Sequence, residues 1–289
     1  MDLNTVSELV AADPGSPADW RDGDAWLAGG TWLFSEPQPA LHRLLDLRAF
    51  GWPSLTADDR GLEIAATCTL AELARFRAPQ WRASPLIGQC CNALLGSFKV
   101  WNAATVGGNL CLALPAGPMT SLTSALDGVC TIWGPDRAPR QVAVTEFVTG
   151  AGRSALAPGE LLRSVHLPAR ALAGATAFRQ LSLSALGRSA AVVIGRRAAP
   201  QAGAAAGTGR AAATAPPEAG VVITVTAATD RPVQLRFRGL PAPGELLATL
   251  DDAVPRWYDD VHGAPAWRAA ITRQLALEVL DELAGPAAP

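Results

Sequence analysis

Trp26-Leu27-Ala28-Gly29-Gly30-Thr31-Trp32-Leu33 and, further on, Ala104-Thr105-Val106-Gly107-Gly108-Asn109-Leu110-Cys111 share one pattern. Each sets a Gly-Gly pair between apolar residues and follows it with a small polar side chain. Glycine accepts a positive φ and can turn its N–H groups to one side. A concave run of such amides binds an anion without a basic side chain. Two of them facing each other could hold a pyrophosphate between them, at the edge of the core. Either turn alone reads more readily as a tight connection between strands than as an anion site.

Neither segment fits the common phosphate loops. There is no G-x-x-x-x-G-K-[ST], and no G-x-G-x-x-G opens a helix. A nucleotide triphosphatase and a nicotinamide Rossmann site are therefore not expected.

Taken together, the two turns resemble the FAD-binding subunits of the molybdenum hydroxylase family, which includes xanthine dehydrogenase and the medium subunit of carbon monoxide dehydrogenase. The resemblance extends to Leu44-Leu45-Asp46-Leu47, to Glu160-Leu161-Leu162 before His166-Leu167-Pro168, to Phe178-Arg179-Gln180 and to the C-terminal Trp267-Arg268 helix. It implies an α+β chain in two parts. Residues 1–170 would form a PCMH-type FAD-binding domain of two small α/β subdomains. Residues 171–289 would form a small antiparallel sheet with helices.

The resemblance also implies a site and partners. Residues Trp26 to Leu33 and Thr105 to Asn109 (Trp26, Leu27, Ala28, Gly29, Gly30, Thr31, Trp32, Leu33, Thr105, Val106, Gly107, Gly108, Asn109) would bind FAD non-covalently. Their backbone amides and the Thr31, Thr105 and Asn109 side chains would act as donors. Leu95 and Leu162 match positions lining the adenine and isoalloxazine pockets, although core packing explains them as well. Arg179 matches a lysine beside the flavin, where a cation favours the anionic reduced ring. In the family a molybdenum cofactor on a molybdopterin-binding large subunit hydroxylates the substrate. Electrons cross two 2Fe-2S clusters on a small subunit and leave through FAD, commonly in a dimer of heterotrimers.

Three departures stand out. The family places an aspartate three residues after the proline that follows TxGGN, whereas Pro115 is followed there by Pro118. Leu181 to Arg188 replaces the usual Arg-Arg and aspartate, and the large ring of Trp32 stands at an acidic position of the first turn. These changes do not point to NAD as the acceptor.

Composition agrees. With a net charge of −2, nothing invites nucleic acid or an anionic membrane. No apolar run reaches the length of a membrane span, and no basic, apolar leader opens the sequence. Cys68, Cys90, Cys91, Cys111 and Cys130 lack C-x-x-C spacing and read as reduced thiols of a cytoplasmic protein. They do not supply an iron–sulfur cluster. His42, His166 and His262 are too scattered for a metal site, and no acid–base or nucleophilic constellation appears, so a flavin would carry the redox chemistry.

Local signals predict elements. Residues 24–33 read as a strand entering the first turn, and Leu44–Leu47 as a second strand. Leu62–Ala65 alternates as a strand, and Thr69 with Glu72 forms a capping box. Ser84-Pro85 opens a helix with Ile87, Cys91, Leu94 and Leu95 on one face. Hairpins are expected across Gly134-Pro135-Asp136 and Asp230-Arg231-Pro232. Residues 198–219 read as a flexible loop. Ile271, Leu275, Val279 and Leu283 form a helical stripe, with Trp257 and Trp267 packing that domain.

Two other readings remain open. A self-contained FAD oxidoreductase of the vanillyl-alcohol-oxidase-like group would need a larger substrate domain. A flavin-free structural subunit finds support only in Pro118.

Overall fold

The computed structural model describes residues 3–13, 19–136, 138–199 and 219–285. Most of the expected 198–219 loop lies outside the described residues.

The first sheet is three-stranded and parallel, with β1 (Glu8–Ala11), β2 (Asp24–Leu27) and β3 (Arg43–Asp46) in the order β1-β3-β2. The expected second strand begins one residue early, and Leu47–Phe50 turns instead as a 3₁₀ helix capped by Asp46. Arg43 on β3 grips buried Asp24 on β2 through Nε (2.8 Å) and Nη2 (2.6 Å). The Arg43 guanidinium holds the Asp24 carboxyl below the usual carboxylate range.

The second sheet is five-stranded and antiparallel. It comprises β4 (Leu55–Asp58), β5 (Gly61–Ala65), β6 (Val129–Trp133), β7 (Pro139–Ala143) and β10 (Leu161–Pro168), in the order β4-β5-β10-β6-β7. The chain leaves it after β5 to form helices α1 (Leu70–Arg75), α2 (Ser84–Asn92), α3 (Phe98–Trp101), α4 (Val106–Leu112) and α5 (Pro118–Ala125). The Thr69 capping box and the Pro85 helix start are both present. Leu62, Ile64, Cys130, Ile132, Val165 and Leu167 of the sheet meet Leu73, Ile87, Cys91, Val106, Leu110 and Leu122 of the helices in one buried core. After β7 come a short helix α6 (Val144–Phe147) and a two-stranded ribbon of β8 (Val148–Gly150) and β9 (Arg153–Ser154). β10 then inserts between β5 and β6, and α7 (Ala169–Leu172) ends this part. The hairpin of β6 and β7 pairs Val129 with Ala143 and Trp133 with Pro139, across the expected turn.

The last sheet is an antiparallel meander of β11 (Ala175–Leu181), β12 (Ala191–Arg197), β13 (Val221–Thr226) and β14 (Val233–Phe237). The hairpin of β13 and β14 sets Ile223 opposite Leu235, as the alternation predicts. Helices α8 (Pro243–Ala253) and α9 (Pro265–Ala284) cover one face, and the stripe Ile271, Leu275, Val279, Leu283 is buried there with Trp257 and Trp267 beside it. Gly195 lets α9 lie against β12, because a Cβ there would come within 2.4 Å of Val279.

The opposite face of this sheet packs on the helices of the first part. Alternate residues of β12 therefore enter two cores: Val192 and Ile194 join the first, Val193 the second. This two-sided burial explains why all six residues of β13 are buried, Thr224 and Thr226 among them, although Val221, Ile223 and Val225 alternate. Polar groups complete the contact: Ser121 Oγ and Thr226 Oγ1 lie 2.6 Å apart, and Gln234 Nε2 donates to Ser124 O (2.6 Å).

Candidate cofactor-binding cleft

After Leu27 the chain leaves β2 and turns. Gly30 takes φ +68, and Phe34 N donates back to Gly30 O (2.9 Å) and Ser35 N to Trp32 O (2.9 Å). Among the described residues no protein group accepts from the N–H groups of Gly29, Gly30, Thr31, Trp32 or Leu33. This is a run of unpaired amides, the arrangement that binds anions. Its base is fixed by Trp26 Nε1, which donates to Glu160 O (3.0 Å). Glu160 is itself clamped by Arg140 Nε (2.7 Å) and Nη2 (2.6 Å), whose hydrogen bonds hold its carboxyl low.

The second glycine pair is not the open turn expected. Thr105 is the N-cap of α4, its Oγ1 accepting from Gly108 N at 3.0 Å, and both glycines lie in the helix's first turn. Its amides are already engaged: Val106 N donates to Cys68 O (2.8 Å), Gly107 N to Ala66 O (3.0 Å) and Asn109 N to Thr105 O (3.0 Å). Gly107 is required for packing, since a Cβ there would meet Ala66 at 2.4 Å. Gly108 differs, with only Thr105 Oγ1 (3.0 Å) near such a Cβ. Asn109 Oδ1 accepts from Met119 N (3.0 Å), so this side chain joins α4 to the first turn of α5. Its amide nitrogen has no protein partner among the described residues.

Between these segments lies a cleft of about 690 Å³. Trp26, Leu27, Ala28, Gly29, Gly30, Thr31, Trp32 and Leu33 line it together with Leu95, Thr105, Gly108 and Asn109. Four expected residues do not. Val106 and Gly107 point into the core, for the steric reason given. Leu162 is a core residue of β10 opposite Ile132. Arg179 on β11 turns to α9, where Nε meets Glu278 (3.1 Å) and Nη1 meets Glu282 (2.6 Å). Leu95 lines the cleft from beyond the helix expected to carry it: α2 ends at Asn92, and Leu95 stands 49% exposed.

The sequence reading missed several lining residues. Cys111 and Leu112 follow Gly108 at helical spacing, a signal legible once α4 is recognised as a helix. Burial pushes the Cys111 thiol up to about 12, so it is held neutral. Pro118 also lines the cleft and occupies the first turn of α5, where its missing N–H costs no hydrogen bond. Arg188 and His262 come from loops of the last sheet and α9, and nothing local announces them. Among the described residues the lining contains no aspartate or glutamate, and Arg188 is its one arginine or lysine. An uncharged wall, free amides and a single cation suit an anionic ligand with apolar rings.

Among the described residues no cluster of His, Cys, Asp and Glu could hold a metal, and no helix is long and apolar enough to cross a membrane. All five cysteines are free.

Comparison with known proteins agrees with this geometry. Residues 6–170 match the family described as the FAD binding domain in molybdopterin dehydrogenase. The xanthine dehydrogenase FAD-binding subunit of Escherichia coli O157:H7 is 29% identical over 128 residues, which is 44% of this chain and 41% of that one. The match thus spans less than half the length of that relative. Among solved structures, reconstituted CO dehydrogenase from Oligotropha carboxidovorans superposes with a TM-score of 0.78 at 19% identity, over 99% of this chain and 100% of that one. Quinoline 2-oxidoreductase from Pseudomonas putida 86 gives 0.71 at 19% identity, over 98% and 99%. These two likenesses establish the α+β fold over the whole length.

Proposed function

The chain belongs to the family of FAD-binding domains of molybdopterin dehydrogenases, and from that membership we propose that it is the FAD-binding electron-transfer subunit of a molybdenum hydroxylase complex. The observation that carries the reading is the run of unpaired amides from Gly29 to Leu33 at the wall of a cleft whose described lining holds no carboxylate. FAD fits that wall. Its pyrophosphate matches the amides, with Gly108 leaving backbone exposed across the cleft. Leu27, Leu95, Leu112 and Trp32 would shelter its rings, and the Asn109 amide nitrogen remains as a donor. Arg179 and Leu162 are outside this reading. The division of the chain near residue 170 is part of it, supported by the end of the matched region and the start of a new sheet at Ala175.

Bound FAD supplies two-electron and one-electron redox chemistry. The chain's own contribution is to hold it, exclude water and place it beside a donor. Among the described residues the cleft lining holds no carboxylate, and its one histidine, His262, has no acidic partner there to make a catalytic pair, which supports electron supply in trans. A small subunit with 2Fe-2S clusters and a molybdopterin-binding large subunit would provide it, in a cytoplasmic heterotrimer or its dimer. Substrate choice and hydroxylation would belong to the large subunit.

The test is direct. The purified chain or complex should show the absorption of oxidised flavin, and acid should release FAD rather than FMN without proteolysis. In the complex the flavin should bleach when the hydroxylated substrate is supplied, and the isolated chain should oxidise no N-heterocycle or aldehyde. Protein that stays colourless after reconstitution with excess FAD would refute the reading, and substrate oxidation by the metal-free isolated chain would favour a self-contained flavoenzyme.

A further inference from the structure

We infer that Arg188 is the cation the cleft presents to its bound flavin nucleotide, so that the C-terminal part of the chain completes the site. This rests on the proposed function and adds to it the placement of Arg188 and of the loop that carries it.

Among the described residues the cleft is lined by one arginine, Arg188, by no lysine and by no acidic side chain, with His262 beside them. Among the described residues no carboxylate or carbonyl pairs with its guanidinium, which stands exposed on the cleft wall. An arginine beside solvent and a neutral wall keeps its full charge available. Arg179 makes the contrast: it sits on the neighbouring strand, but Glu278 and Glu282 already neutralise it.

The loop that carries Arg188 is built to hold it there. Ser182 Oγ donates to Ser184 O (2.7 Å), Gly187 N to Ser184 O (2.9 Å) and Ala190 N to Leu181 O (2.8 Å), closing the segment on itself. Its far end is fixed by Arg268, which is 1% exposed. Arg268 Nη1 donates to Ala190 O (2.6 Å) and Ala227 O (2.5 Å), and Nε to Gly263 O (2.9 Å). Its Nη2 meets Asp260, whose Oδ1 also takes the N–H of His262 at 2.8 Å. One buried guanidinium therefore anchors both loops that reach the cleft from this side.

The ligand offers two anionic parts. The pyrophosphate carries charge in every redox state, and the ring carries it when reduced. A guanidinium forms charge-assisted hydrogen bonds to either, with a planar fork suited to phosphate oxygens. Loss of such a contact weakens binding about tenfold or more.

The experiment compares the full-length wild-type chain with Arg188→Gln and Arg188→Lys. Apoprotein is titrated with FAD at low and high salt, and the midpoint potential of the bound flavin is measured by dye equilibration. Arg188→Gln should weaken FAD binding about tenfold with a shallower salt dependence if the pyrophosphate is the contact. It should make the flavin midpoint more negative if the ring is, because the reduced anion loses its counter-charge. Arg188→Lys should recover most of the effect. Unchanged affinity together with unchanged potential in a folded Arg188→Gln protein would overturn the inference and leave the proposed function standing. Failure of the wild-type chain to bind FAD would instead overturn the proposed function.

Discussion

A Cβ built on Gly29 would stand 1.8 Å from the carbonyl oxygen of Ala103, so the two glycine segments touch backbone to backbone. That contact sets the width of the cleft between them. It also changes what glycine substitutions report. Gly29→Val and Gly107→Val would force main chain apart, at Ala103 and at Ala66, and should cost stability by about 3 kcal/mol or more. They cannot remove the ligand while sparing the fold, as expected for turns at the edge of the core. Gly108→Ala is the discriminating change, because its methyl enters a position with only the Thr105 hydroxyl nearby, at 3.0 Å. It should leave the melting temperature near wild type and weaken FAD binding several-fold. Full affinity in Gly108→Ala would show that this residue does not approach the ligand.

Much of the fold was legible because its signals are local. The Thr69 capping box, the Pro85 helix start, both hairpins and the α9 stripe each lie within a few turns of chain. The second glycine pair was misread for a physical reason. Thr105, Val106 and Leu110 carry the marks of a helix start, but two glycines in its first turn hide them, since glycine disfavours helix. Arg188 and His262 could not be found that way, because they reach the cleft through loops fixed by Arg268 from another part of the fold. Leu162 and Arg179 were placed by resemblance alone, and the structure gives them other partners.

Arg179 provides a second prediction. Its pairs with Glu278 and Glu282 are partly exposed, with all three side chains at least 35% accessible. Such surface pairs contribute about 1 kcal/mol or less. Arg179→Gln should therefore shift stability little and leave FAD affinity and flavin potential at wild-type values. A large change in flavin potential would return Arg179 to the site.

Acid sensitivity follows from the carboxylates that frame the first turn. Arg43 holds Asp24 below its ordinary range, and Arg140 does the same for Glu160. A carboxyl whose folded value is depressed stabilises the fold above its unfolded value and loses that contribution as pH falls. Stability should thus be level near neutrality and decline from about pH 4 downward. Asp24→Asn should flatten part of that decline while lowering stability at pH 7, as read by urea unfolding. An identical acid profile in Asp24→Asn would remove this pair as a cause.

The thiols predict the alkaline side. Burial pushes Cys68, Cys91 and Cys111 up to about 12. The unfolded thiol ionises near pH 8.5 while the folded one stays protonated, so stability should fall as pH rises from about 9 toward 12. At pH 8 a disulfide reagent should label the native chain slowly and all five cysteines after denaturation. Rapid labelling of Cys111 in the native apoprotein, with protection by FAD, would show that the cleft opens further than its thiol's burial implies.

The final prediction concerns how the two parts of the chain are joined. Asp127 follows α5 and carries φ +51, a conformation disfavoured for most side chains but tolerated by Asp and Asn. Its carboxylate meets Arg196 of β12 and, at 2.6 Å, Arg236 of β14. Arg196 is 5% exposed and also donates to Ala125 O at 3.1 Å. Removing the carboxylate leaves that guanidinium buried without a counter-charge, which is the costly case for an ion pair. Asp127→Asn preserves shape and backbone tolerance, so it isolates the charge. It should lower stability by about 3 kcal/mol, nearly all of it through Arg196, since the half-exposed Arg236 is screened. Because Val192 and Ile194 share a core with the flavin part, unfolding should remain a single transition by both tryptophan fluorescence and circular dichroism. Wild-type stability in Asp127→Asn would mean that Ala125 O and water satisfy Arg196 unaided. Two separated transitions in the wild-type chain would instead show that the shared core does not couple the parts.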